Sequence, residues 1–243
     1  MIAANYSRPR WTRWVVTGTL VSYAVAWVVG VPALVPVLNT LPAFPFLVVA
    51  LRRGQLGRAV AMMSAWAATM GVAATALSYL DPAGTGRLFI HADAYRHEMF
   101  LWVQTGIGAE SNPAQFGPSH ALHAAVFCAL SWVSGSVLSM PMGAVLMNYM
   151  GHFVGALAST SRHPLPTVIL GWLPWSLVRI ASFIVLGVVL GGPVLSRVGG
   201  FQYRLGAHRR LLLLALAGLL VDAAVKAALA PAWAVMLRRI VGW

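Results

Sequence analysis

The sequence predicts an all-α, polytopic transmembrane helix bundle of about seven spans, forming one domain over residues 1–243. Three observations carry that reading. Hydrophobic residues make up 59% of the chain and charged residues only 9%, against about 25% charged in an average soluble domain. The apolar residues gather in runs near the roughly 20 residues that cross a bilayer. Most of the arginines fall between those runs. The composition excludes a disordered tail, a coiled coil and almost any soluble enzyme.

The runs follow in order. The first is Trp14 to about Val31, and the second is about Pro36 to Leu51. Pro36, Pro42 and Pro45 interrupt the second, because proline removes a backbone donor and kinks a helix. It therefore reads either as a kinked span or as a re-entrant segment needing protein around it, which would leave six spans. The third is Ala59 to Leu80. After a polar stretch come His120 to Leu138, Pro141 to Ala158, Leu165 to Gly191, and Leu211 to about Ala232. No internal repeat, phosphate-binding glycine loop or nucleophile elbow is present. The single cysteine, Cys128, lies inside an apolar run and reads as a small buried side chain.

Charge sets the orientation. The net charge of +12 arises from seventeen bases against five acids. No basic stripe with interleaved aromatics accompanies it, so nucleic acid is not an expected partner. With the N-terminus inside, the cytoplasmic segments hold Arg8, Arg10, Arg13, Arg52, Arg53, Arg58, Arg197, Arg204, Arg209 and Arg210. The outer segments hold Arg87, Arg96, Arg162, Arg238 and Arg239. Basic loops favour the cytoplasmic side, so the expectation is a multi-pass protein of the inner or plasma membrane, N-terminus in the cytoplasm. The first run is long and lacks a small-x-small site, so it reads as a retained helix rather than a cleaved signal.

Residues 81–118 form the outer segment and carry four of the five acids. Leu88, Phe89, Ala92, Tyr95, Met99, Phe100 and Val103 approximate one helical stripe. An amphipathic helix near 87–104 is therefore expected at the membrane surface or on the bundle. Asp81-Pro82 reads as its opening turn and Gly106 to Pro118 as loop. Asp93 and His97 are four apart, and so are Asn148 and His152, while His120 and His123 are three apart. Imidazoles and carboxylates at these spacings share a helix face. His91, Asp93, His97, Glu98, His120 and His123 are thus candidate transition-metal ligands or acid–base groups. The other reading is an interfacial helix whose acids face water or pair with Arg87 and Arg96. No HExxH pattern occurs, and no cofactor is directly indicated.

Arg179, Asp222 and Lys226 fall within predicted spans. A charge at the bilayer centre costs at least about 2.5–3.5 kcal/mol, so such groups pair or face a cavity. Asp222 and Lys226, four apart, are expected to neutralise one another, with Arg179 reaching Asp222 across helices. Lys226 is also the only lysine, in the last of seven helices. Microbial rhodopsins hold retinal on a similarly placed lysine, but the middle spans here lack a rhodopsin-like Asp-Trp segment.

From residue 59 onward the chain resembles the stage II sporulation protein M family of bacterial integral membrane proteins. The shared pattern begins with a span and an outer segment ending in an aromatic-rich helix, here Asp93 to Trp102 with Tyr95 and Glu98. A helical hairpin follows, with small residues Gly135 and Gly143 at its turn, closing with Asn148 and Gly155. Then come a span with Gly187 and Gly191, a basic linker, and a last span carrying Asp222 and ending near Pro231. His120 and His123 stand where members typically show paired asparagines. The resemblance implies a membrane scaffold for other proteins and brings no catalytic residues.

Two functional expectations follow. One is a non-enzymatic scaffold or transporter-type subunit packing with other membrane or periplasmic proteins through faces such as Gly151-x3-Gly155 and the alanines near Ala223 and Ala228. The other is a membrane enzyme with a His/carboxylate site at the outer interface, acting on a lipid-like substrate. Retinal binding through Lys226 is a third, lesser reading.

Overall fold

The computed structural model describes residues 9–243, and every regular element among them is helical. Arg8, counted above toward the cytoplasmic charge, lies outside the described residues. The elements are α1 (Pro9–Val29), α2 (Val35–Thr40), α3 (Phe44–Arg52), α4 (Leu56–Leu80), α5 (Pro82–Leu88), α6 (Ala92–Thr105), α7 (Pro113–Ser134), α8 (Ser139–Ser159), α9 (Pro164–Gly171), α10 (Pro174–Gly199) and α11 (Arg209–Val241). Five segments among the described residues are long and apolar enough to cross a membrane: Trp11–Val29, Pro32–Arg52, Leu56–Leu80, Pro174–Gly199 and Leu205–Val241. The seven predicted runs include two more, α7 and α8, which are 22 and 21 residues long. His120, His123, Asn148 and His152 lower the apolarity of those two helices.

Proline sets several of the boundaries. The second run divides into a 3-10 turn at Pro32–Leu34, then α2, then α3 with Pro45 in its first turn. The sixth run, expected as one helix from Leu165 to Gly191, is two helices. Leu173 precedes Pro174 and takes the extended conformation (φ −60°, ψ 133°) that proline imposes on the residue before it. The expected interfacial helix is likewise divided. Asp81 caps α5, its Oδ1 accepting from the Gly84 N–H at 2.8 Å. His91, left-handed at φ 54°, then separates α5 from α6. Helix α6 lies on the bundle with Met99, Trp102 and Val103 buried and His97, Glu98 and Leu101 exposed. The expected loop to Pro118 ends early: Asn112 Oδ1 accepts from the Ala114 N–H at 3.0 Å and Pro113 starts α7.

Helix α8 is the axis of the fold. It packs most extensively on α4, through Gly151 and Gly155. A Cβ at Gly155 would lie 2.8 Å from both Ser78 Cβ and the Tyr79 nitrogen, and closer still to the Thr75 carbonyl oxygen. Only glycine permits that approach. The small-residue face is therefore used within the chain. The other side of the bundle is built from α10 packed on α11 and α7.

Two polar networks hold α8 in register. Tyr23 Oη donates to Asn148 Oδ1 at 2.6 Å, Asn148 Nδ2 to Asn39 Oδ1 at 3.1 Å, and Asn39 Nδ2 to Ser22 Oγ at 2.9 Å. The Trp66 indole N–H donates to the Asn39 carbonyl at 2.8 Å. These bonds join α1, α2, α4 and α8 and leave neither asparagine amide idle, as burial away from water demands. One turn on, the buried His152 ring meets Ser78 Oγ at 3.1 Å and Thr85 Oγ1 at 3.2 Å through Nδ1. Its Nε2 lies 3.5 Å from Asp93 Oδ1, tying α6 to the bundle.

Candidate functional site

The segment between α6 and α7 is pinned from both sides. Gly106, left-handed at φ 74°, ends α6, and a 3-10 turn at Ala109–Ser111 follows. The fully buried Trp102 donates its indole N–H to Ser111 Oγ at 2.8 Å. Trp175, at the start of α10, donates to Glu110 Oε2 at 3.3 Å. The two indoles meet edge to face with centroids 6.4 Å apart. This arrangement delivers the Glu110 carboxylate into the bundle.

There Glu110 Oε1 accepts from Lys226 Nζ at 2.6 Å. The ammonium lies 4.4 Å from the centroid of the Phe116 ring and 3.5 Å from His120 Nε2. Arg179 reaches His120 Nε2 with Nη1 at 3.1 Å and Asp222 Oδ2 with Nε at 3.1 Å. Guanidinium and ammonium groups only donate. Their convergence on Nε2 therefore assigns His120 as the neutral Nδ1–H tautomer, with Nδ1 3.8 Å from Asp222 Oδ2. The cluster holds two cations and two carboxylates and is formally neutral.

The expected Asp222–Lys226 pair is corrected by this geometry. Lys226 binds Glu110, and Asp222 binds Arg179. Spacing along one helix brings two side chains to the same face, but a shorter contact to another element wins. Glu110 comes from a segment 116 residues away, and its residue type was the only sequence signal available for it.

The six residues considered as a metal set are distributed differently. Asp93 pairs with Arg96 at 3.1 Å and with His152. His91 and His97 are exposed on α5–α6. Glu98, His120 and His123 line a common cavity. Among the described residues no group of three or more His, Cys, Asp or Glu side chains is placed to hold a metal ion.

That cavity has a volume of about 340 Å³ and lies between α6, α7, α8 and α10, with α3 and α4 behind. One end carries Glu98, Glu110, His120, His123, Arg179 and Lys226. Beyond them the wall is apolar, with Trp66, Phe127, Met140, Met147, Phe183 and Ile184. Helices α7 and α8 are joined at the other end, where Ser131 Oγ donates to Ser139 Oγ at 2.8 Å and Gly135 turns the chain. The ionic side chains thus gather at one end, and the rest of the lining is mostly apolar, with Ser136 and Ser139 near the α7–α8 joint.

Comparison with protein-family models, curated proteins and solved structures finds no match to this chain.

Proposed function

We propose that this chain is a multi-pass membrane protein, of transporter or lipid-handling type, whose chamber takes up a single-chain amphiphile from the outer leaflet. The observation that carries the reading is the polarity of the chamber. Ionic groups cluster at one end, and aromatic and methionine side chains line the rest. The volume falls within the roughly 300–1,000 Å³ of ligand pockets, at the small end, which suits one chain rather than two.

Depth along α11 supports the assignment. At about 1.5 Å per residue, Asp222 lies about 18 Å and Lys226 about 24 Å from Arg210. Across a hydrocarbon core about 30 Å thick, with Arg209 and Arg210 at the cytoplasmic boundary, the ionic cluster sits just beneath the outer headgroups. In this topology α7 and α8 also cross, making seven passes, and the apolar wall lies where acyl chains lie. A headgroup at the cluster and a tail among Phe127, Met140 and Met147 would keep the orientation that they have in the leaflet.

Gly143 provides the test. It lines the chamber, and a Cβ there has Phe127 at an ordinary 3.8 Å. Gly143→Phe should fill the chamber without displacing backbone. Native mass spectrometry of gently extracted protein is expected to show a lipid-sized adduct on the wild type. In Gly143→Phe the adduct should be gone while the melting temperature holds. An adduct equally abundant in both proteins refutes the chamber as its site.

A second reading, the scaffold, is favoured by the exposed Ala224 and Ala228, one turn apart on α11, where another helix would approach closely. A stoichiometric partner subunit in the same spectra supports that role. A metal ion, or a retinal-sized adduct on Lys226, would support the enzymatic or retinal readings instead.

A further inference from the structure

We infer that the amphiphile carries an anionic headgroup, a phosphate or carboxylate, and that Arg179 is the residue that binds it; this rests on the chamber reading above. The inference comes from counting donors and acceptors at the polar end of the chamber. Both Glu110 oxygens are occupied, Oε1 by Lys226 and Oε2 by Trp175. The three Lys226 hydrogens face Glu110, His120 and the Phe116 ring. His120 Nε2 is taken by Arg179 and Lys226. Asp222 Oδ1 has no hydrogen-bond partner but is buried behind the cluster, away from the lining.

Among the charged groups of the buried cluster, Arg179 alone has hydrogens to spare. A guanidinium has five N–H groups. Among the described residues, Nη1 of Arg179 bonds His120, and Nε lies 3.1 Å from Asp222 Oδ2 as an ion pair without hydrogen-bond geometry. That leaves three N–H groups without a protein acceptor on a side chain that lines the chamber. Asp222 and His120 hold the guanidinium plane from behind, so its free edge is positioned for a two-pronged contact. Such an edge matches the oxygens of a carboxylate or phosphate. Glu98 at the rim is exposed to water, so its charge is screened from the site. Among the described residues, the only unpaired carboxylate an ammonium headgroup would meet on the lining is this exposed Glu98.

The experiment uses the full chain in phosphatidylcholine nanodiscs and isothermal titration calorimetry with four probes. These are dodecyl phosphate, dodecyl maltoside, dodecyltrimethylammonium and inorganic phosphate. The expected result is saturable binding of one dodecyl phosphate, at least about tenfold tighter than the maltoside, with no saturable binding of inorganic phosphate. Arg179→Gln should abolish that preference and leave maltoside affinity unchanged. Equal affinity for phosphate and maltoside in the wild type, or preference for the trimethylammonium probe, overturns the headgroup assignment while the chamber stands. Inorganic phosphate binding as tightly as dodecyl phosphate points to a free-anion site and overturns it too. Failure of every amphiphile to bind removes the chamber reading itself. The probe comparison on the wild type decides the matter even where Arg179→Gln misfolds.

Discussion

Asp222→Ala is expected to destabilise the protein toward the lower end of the range, about 3–5 kcal/mol, lost when one partner of a buried ion pair is removed, because the remaining Arg179 side chain is 24% exposed. Asp222 is 3% exposed at its side chain and is the only carboxylate within ion-pair distance of Arg179 among the described residues. The substitution leaves a guanidinium below the surface with His120 as its one remaining partner. At about 2–4 °C per kcal/mol for a chain of this size, thermal unfolding in detergent should move down by an amount toward the lower end of about 6–20 °C. The double variant Asp222→Ala/Arg179→Met should recover most of that loss, because the cost lies in the unpaired charge and not in the missing attraction. Lys226 keeps Glu110 in both proteins. A melting temperature unchanged in the single variant would show that Asp222 does not hold Arg179.

Gly155→Val is the second large effect. The added methyl groups meet the Thr75 carbonyl and Ser78 on α4, in a helix pair held at its closest approach. Overpacking of a core typically costs about 1–3 kcal/mol. Here the obstacle is backbone that cannot rotate away, so the loss should reach the top of that range or exceed it. Gly143→Ala is the control: its Cβ makes only an ordinary 3.8 Å contact with Phe127, and the change should be neutral or gain up to about 1 kcal/mol in helix propensity. Equal losses in the two variants would mean that the α4–α8 contact is looser than described.

What the sequence reveals follows the range of each interaction. Apolar runs depend on local composition, so α1, α4 and α11 begin and end within a few residues of expectation, apart from the continuation of α11 through Pro231 to Val241. Breaks at Trp172–Leu173 and at His91 depend on local backbone conformation superposed on an apolar pattern that continues through them, and periodicity alone passes over them. The intramembrane charges were visible as Arg179, Asp222 and Lys226, since a charge in an apolar run announces itself. Of their pairing, the reach of Arg179 to Asp222 was legible and the partner of Lys226 was not. Helical spacing offered Lys226 to Asp222, whereas Glu110 reaches Lys226 only because Trp102 and Trp175 pin a segment whose own sequence reads as plain loop. Asn148 and His152 were legible as a polar pair on one helix face, yet they serve two separate networks with partners on α1, α2, α4, α5 and α6.

The central claim, that the chamber holds the tail of an amphiphile, is tested most directly by photo-cross-linking in membranes. Dodecyl probes with phosphate, trimethylammonium or maltoside headgroups would each carry a diazirine at the chain end. The account predicts labelling by at least one of them on Phe127, Met140, Met147 or Ile184. That labelling should disappear in Gly143→Phe. Labelling confined to outward-facing Leu213, Leu214 and Leu220 on α11 and Val28 on α1, unchanged by Gly143→Phe, would contradict it.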